Sequence, residues 1–147
     1  MKKRTSITII FLFLLMLSGC GNKLKALDVE SVKESLIQMG CYNDDFQDYS
    51  LAGISDIGGI INDSWLFSFY DYGDQKKSLD EIIPVFLAYD LDTYEVTEGS
   101  NYIIYEKEEQ NTYLLYVRVD NTLLWISGPK DKKEEIRSLA KDLGYYI

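Results

Sequence analysis

Apolar positions follow two different periods along the chain, and the switches between them outline a fold. Over Asp28–Met39, Val29, Val32, Leu36 and Met39 recur on one face at helical spacing, with Asp28 suited to cap the start and Gly40 to end it. Residues 43–59 are polar and dotted with glycine; they predict at most a short strand near Tyr49–Ile54, with Gly58-Gly59 as a bend. Trp65–Tyr70 is rich in aromatics and closed by Asp71-Tyr72-Gly73-Asp74, which predicts a strand. Residues 78–91 fit two readings. Ser78 with Glu81 forms a capping box, and Leu79, Ile82, Ile83, Phe86 and Leu87 follow a helical period. Pro84 lies inside that pattern, where it would cost about 3 kcal/mol in a helix interior. The alternative is a strand over Val85–Tyr89; the helix, kinked or starting late, is preferred.

The C-terminal half is clearer. Asn101–Glu106, Thr112–Val119 and Thr122–Ser127 read as strands joined by Glu109-Gln110-Asn111 and by the two-residue turn Asp120-Asn121. Gly128-Pro129 ends the sheet, and a last helix runs over Asp131–Leu143 with Ile136, Leu139, Ala140 and Leu143 inward. Consecutive hairpins imply an antiparallel sheet. The expected class is therefore α+β: about four strands, the last three a meander, covered on one face by N-terminal, middle and C-terminal helices.

The first twenty residues have a different character. Lys2, Lys3 and Arg4 precede an unbroken apolar run from Ile9 to Leu17, followed by Leu17-Ser18-Gly19-Cys20. At about 1.5 Å per residue the run is far too short to span a bilayer core of about 30 Å as a helix. This order of charge, run, small residues and cysteine resembles the lipobox of bacterial lipoprotein precursors, over residues 1–22 only. The resemblance implies a signal peptide over residues 1–19, a diacylglycerol on the sulfur of Cys20, a tether over residues 20–27, and one domain over residues 28–147. It also implies a location on the extracytoplasmic face of the cell membrane, held there by lipid.

Composition narrows the chemistry. The 147 residues include 15 basic and 24 acidic side chains and no histidine, for a net charge of −9. Without imidazole there is no Ser-His-Asp or Cys-His catalysis and no His-ligated zinc. The negative charge argues against nucleic acid as a partner. Loss of residues 1–19 would remove three positive charges and leave the remainder at −12, repelled by anionic lipid beyond Lys23 and Lys25; the domain is expected to stand off the membrane. Cys41 would then be the one remaining thiol, read as a small buried hydrophobe.

Three acidic groups stand out: Asn43, Asp44, Asp45 and Asp48; Asp71 and Asp74; Asp90, Asp92 and Glu95. Such loops can hold calcium, but none has the EF-hand alternation, and solvated carboxylates in turns are the preferred reading; no metal and no cofactor are expected. A hydrolase using two carboxylates is the enzymatic alternative, since it needs a pair about 5 to 9 Å apart with one pKa raised by an apolar setting. No catalytic residue is assigned. The twelve tyrosines are more distinctive. Alternation gives both faces of the C-terminal strands apolar or amphipathic groups, and Tyr102, Tyr116 and Arg118 are read as an exposed set on the second face, able to grip a partner protein or stack on a polysaccharide. The alternative is that tyrosines fill the core edge and the 43–59 segment covers that face. The functional expectation is a non-catalytic surface lipoprotein that binds an envelope partner, a metal- or solute-binding lipoprotein being a further alternative.

Overall fold

In a computed structural model, which describes residues 23–87 and 93–147, the chain forms one antiparallel sheet flanked by three helices. The elements are α1 (Val29–Gln38), β1 (Gln47–Leu51), β2 (Ile54–Ile61), β3 (Trp65–Asp71), α2 (Lys76–Phe86), β4 (Glu95–Glu98), β5 (Tyr102–Glu109), β6 (Thr112–Val119), β7 (Thr122–Pro129) and α3 (Lys133–Asp142), the last entered through a 3-10 turn at Lys130–Lys132. The strand order is β1-β2-β3-β7-β6-β5-β4.

Seven strands, and not about four, is the first correction. β1 and β2 come from the segment expected to hold at most a short strand near Tyr49–Ile54, pairing from Gln47↔Gly58 to Leu51↔Ile54, while β4 adds a short edge beside β5. Their sequences hide them for physical reasons. Every residue of β1 and β4 is exposed, so neither shows an apolar alternation. Gly58 and Gly59 lie within β2, where a Cβ on Gly59 would come within 2.6 Å of the Phe46 ring. The glycine marks a close approach to that ring, and not a bend.

The second correction concerns layers. α1 and α3 lie on one face, burying Val32, Leu36, Ile136, Leu139 and Ala140 against Phe67, Leu115, Val117 and Ile126 of the strands. α2 lies on the opposite face, its Leu79, Ile83 and Leu87 packed with Tyr72, Tyr116 and Leu123. The sheet is thus covered on both sides, which is why its strands carry apolar groups at both parities.

Local signals hold at α1, whereas α2 starts at Lys76 with Gln75 at its N-cap and no side-chain cap bond, so Ser78 and Glu81 lie within the helix and do not cap it. Asp28 caps α1 by accepting from the Ser31 N–H at 2.7 Å, and Gly40 follows its end at φ 70°. α2 is a helix with Pro84 inside, as preferred over the strand. Pro84 sits in the final turn, so it removes only one late backbone bond, and the Leu87 N–H still reaches the Ile83 carbonyl at 3.0 Å. Residues 88–92, including Tyr89, Asp90 and Asp92, lie outside the described residues, as does Cys20. At α3 the sheet has no Cβ to offer at Gly128: one placed there would come within 2.8 Å of Ile136 Cδ1, so this glycine sets how closely the helix approaches.

Candidate functional site

Alternation along β5 turns Tyr102, Ile104 and Glu106 toward the face that holds α1 and α3. Glu106 is the one acidic side chain in the core there, 8% exposed. Arg137 of α3 donates to it from Nε at 2.8 Å, the Tyr113 hydroxyl donates to the same oxygen, and the Tyr146 hydroxyl lies 3.1 Å from the other. The Arg137 guanidinium also sits 5.9 Å from the Tyr113 ring centroid and 5.6 Å from that of Tyr146, between two aromatic faces. Beside it, Lys130 and Lys133 bracket Glu108 at 2.7 and 2.8 Å.

The electrostatics follow from this packing. Burial pushes the Glu106 carboxyl up, but the hydrogen bonds from Arg137, Tyr113 and Tyr146 outweigh it and hold the pKa below the ordinary value. Tyr113 is raised, by burial first and then by its bond to Glu106. Tyr146 is pushed up to about 12 for the same two reasons, burial leading. A cleft of about 260 Å³ opens next to the cluster, lined by Glu95, Glu106, Glu108, Tyr113 and Lys133 among others. A general acid needs the reverse setting, a carboxyl kept protonated by apolar surroundings, and Glu106 does not have it.

The three residues read as a binding face are separated or covered. Tyr102 is 5% exposed and packs in the core with α1 and α3. Tyr116 is 6% exposed on the opposite face, stacked with Trp125 at 6.1 Å between ring centroids, and burial raises its pKa. Arg118 is half-buried and forms an ion pair with Asp80 of α2. The exposed, one-faced set is therefore corrected: Tyr102 does not share a face with Tyr116, and α2 takes the place that was given to an open surface. The 43–59 segment does not cover that face either; it extends the sheet.

What remains open lies farther along the α2 face. In register across the sheet run Ile60, Leu66, Ser127, Leu114 and Lys107, and in the next row Gly58, Ser68, Trp125, Tyr116 and Tyr105. Leu66 is 48% exposed and Ile60 37%, and small Gly58, Ser68 and Ser127 keep the floor flat. Half-buried Trp125 borders them, with its indole N–H buried and without a hydrogen-bond partner among the described residues. Sequence reading missed both this strip and the Glu106 cluster. An acid at an inward parity position was a signal for the cluster; the strip depends on where α2 stops, which no local pattern shows.

Among the described residues, Asn43, Asp48 and Asp71 of the acidic loops have local partners. Asn43 accepts from the Asp45 N–H at 2.9 Å and donates to the Ile60 carbonyl at 2.9 Å. Asp48 pairs with Lys33 at 2.7 Å, and Asp71 accepts from the Gly73 N–H at 2.9 Å. Among the described residues no three Cys, Asp or Glu side chains converge as a metal site, and no helix is long and apolar enough to cross a membrane. Cys41 is half-buried, and burial raises its thiol pKa.

No protein-family model matches the chain. No curated protein matches it at a significant level. Among solved structures it is similar to a GTP-binding regulator from Thermotoga maritima, at 10% identity and a TM-score of 0.49, over 86% of this chain and 95% of that one. A likeness of that size bears on neither nucleotide binding nor ancestry.

Proposed function

We propose that this protein is a lipid-anchored, non-catalytic binding domain on the extracytoplasmic face of the cell membrane, and that its partner is another protein of the envelope. The observation that carries this reading is the ordered set Lys2-Lys3-Arg4, Ile9–Leu17 and Leu17-Ser18-Gly19-Cys20. The fold lends support on the choice of partner. Sugar binding by stacking needs exposed aromatic faces; Tyr102 and Tyr116 are buried and Tyr49 is exposed on the edge strand β1, whereas the open strip is aliphatic at Ile60 and Leu66. An aliphatic strip beside a tryptophan suits a protein surface better than a polysaccharide. Glu106, held ionised by Arg137, is unsuited to the general acid's part in the hydrolase alternative.

The test is mass spectrometry of the native protein together with fractionation of a Cys20→Ala variant. The expected result is a diacylglyceryl Cys20 at the amino terminus, with the variant lost from the lipid-anchored membrane pool. An intact Met1, or an unmodified thiol at Cys20, overturns the reading.

A further inference from the structure

The segment that joins Cys20 to the domain is not a free tether. Leu24 is held by the side-chain amide of Asn101 in two opposed hydrogen bonds: its N–H donates to Asn101 Oδ1 at 3.2 Å, and its carbonyl accepts from Asn101 Nδ2 at 2.8 Å. Asn101 is itself fixed, since Nδ2 also reaches Asp120 Oδ2 at 2.9 Å and its carbonyl accepts from the Asp120 N–H at 2.9 Å. Three residues on, the Leu27 N–H donates to the hydroxyl of buried Tyr145 at 3.0 Å, and that hydroxyl shares a 2.6 Å bond with Thr122. Leu24, Ala26 and Leu27 are half-buried against the core. Residues expected to be a tether up to 27 are thus part of the domain from Leu24 onward.

Only Gly21, Asn22 and Lys23 then separate the Cys20 position from the fixed chain. Four Cα-to-Cα steps at about 3.6 Å reach at most about 14 Å, under two screening lengths of about 8 Å each in physiological salt. The negative charge of the domain cannot lift it farther off. The clamp also sits at one end of the sheet, where β5 begins and the β6–β7 turn lies. From Asn101 to the row that holds Lys107, Leu114 and Leu66 is about 20 Å along the strands.

We infer that the sheet end carrying Asn101, Asp120 and the Leu24 clamp is the surface that faces the lipid, so that the opposite end, with Leu66 and Ile60, points away from the membrane. This rests on the lipid anchor proposed above, and the experiment keeps the two apart. Full-length lipidated protein, in a Cys41→Ser background, is labelled with a fluorophore at Ser100→Cys or at Gln110→Cys, exposed positions at the two ends. It is then placed in phosphatidylcholine–phosphatidylglycerol vesicles carrying headgroup nitroxide lipids. The expected result is several-fold stronger quenching at position 100 than at 110. Inserting six Gly/Ser residues after Asn22 should bring position 100 down toward the level of 110, and Asn101→Ala should narrow the gap; the insertion leaves every clamp contact in place, so it reports even if Asn101→Ala fails to fold. Equal quenching of the two labels on lipidated protein overturns the orientation alone. Protein whose Cys20 is unmodified overturns the anchor and the orientation together.

Discussion

Glu106 occupies an inward position of β5 that alternation would give to an apolar side chain, and three donors make that tolerable. Removing the charge leaves Arg137 between two aromatic rings with one partner fewer. Glu106→Gln should therefore cost about 2 kcal/mol in denaturant unfolding, because a half-buried cation loses its buried counter-ion and keeps the exposed Glu134 at 2.9 Å. The pH dependence has a definite sign. The folded pKa of Glu106 lies below its ordinary 4.5, so its stabilisation is full above about pH 4.5 and fades as the pH falls through the folded value. The gap between wild type and variant should close in that acid range; a gap constant from pH 7 to 3 would contradict it. Tyr145 behaves oppositely. Burial pushes it up to about 12, so its stabilisation is complete below pH 10 and is lost as the pH rises through about 12. Alkaline unfolding of wild type should fall within that window, and Tyr145→Phe should flatten the slope there.

Among the elements, α1, α3, β3 and the three C-terminal strands are legible in the sequence because each carries a local pattern, whereas Pro84 leaves the middle helix open to a strand reading. The cap at Asp28, the period through Ile136 and Leu139, and the alternation through Leu115 and Val117 are local physics. β1 and β4 are not legible, since edge strands with every residue exposed are selected by pairing and not by burial. The side of the sheet taken by α2 is not legible either. Its amphipathic pattern says that Leu79 and Ile83 are buried, but not against which face. For that reason the both-parity apolarity of β6 reads as a ligand face in the sequence, while in the fold α2 packs on it. Lipidation at Cys20 is a reading of the sequence alone. Close approach of elements yields a sharp expectation at Gly128. Gly128→Ala forces Ile136 or Trp65 aside in a dense core and should cost about 1–3 kcal/mol, with a lower melting temperature by calorimetry. An unchanged melting temperature would mean that α3 is free to shift.

Among the described residues of the whole molecule, the strip of Ile60 and Leu66 is one of several exposed apolar stretches of the sheet, beside Tyr49 and Leu51 on β1 and Val96 on β4. Leu66→Asp places a charge in that strip without touching the core, so stability should change by less than about 0.5 kcal/mol. Partner capture by crosslinking on intact cells should nevertheless be lost. A variant that crosslinks like wild type would move the binding surface elsewhere.

The strand order has a consequence of its own. Every neighbouring pair in the sheet is a sequence-adjacent hairpin or meander step, except β3 with β7, where Leu66 meets Ser127. That seam divides the sheet into a three-strand half carrying α1 and a four-strand half carrying α3. Contacts within each half are local in sequence, and the seam, which closes a loop of about fifty residues, carries the largest loop-closure cost in the sheet. The same six-residue ladder is satisfied equally well between halves of two different molecules. Refolding from concentrated solution therefore favours swapped dimers, and dilution favours the closed monomer.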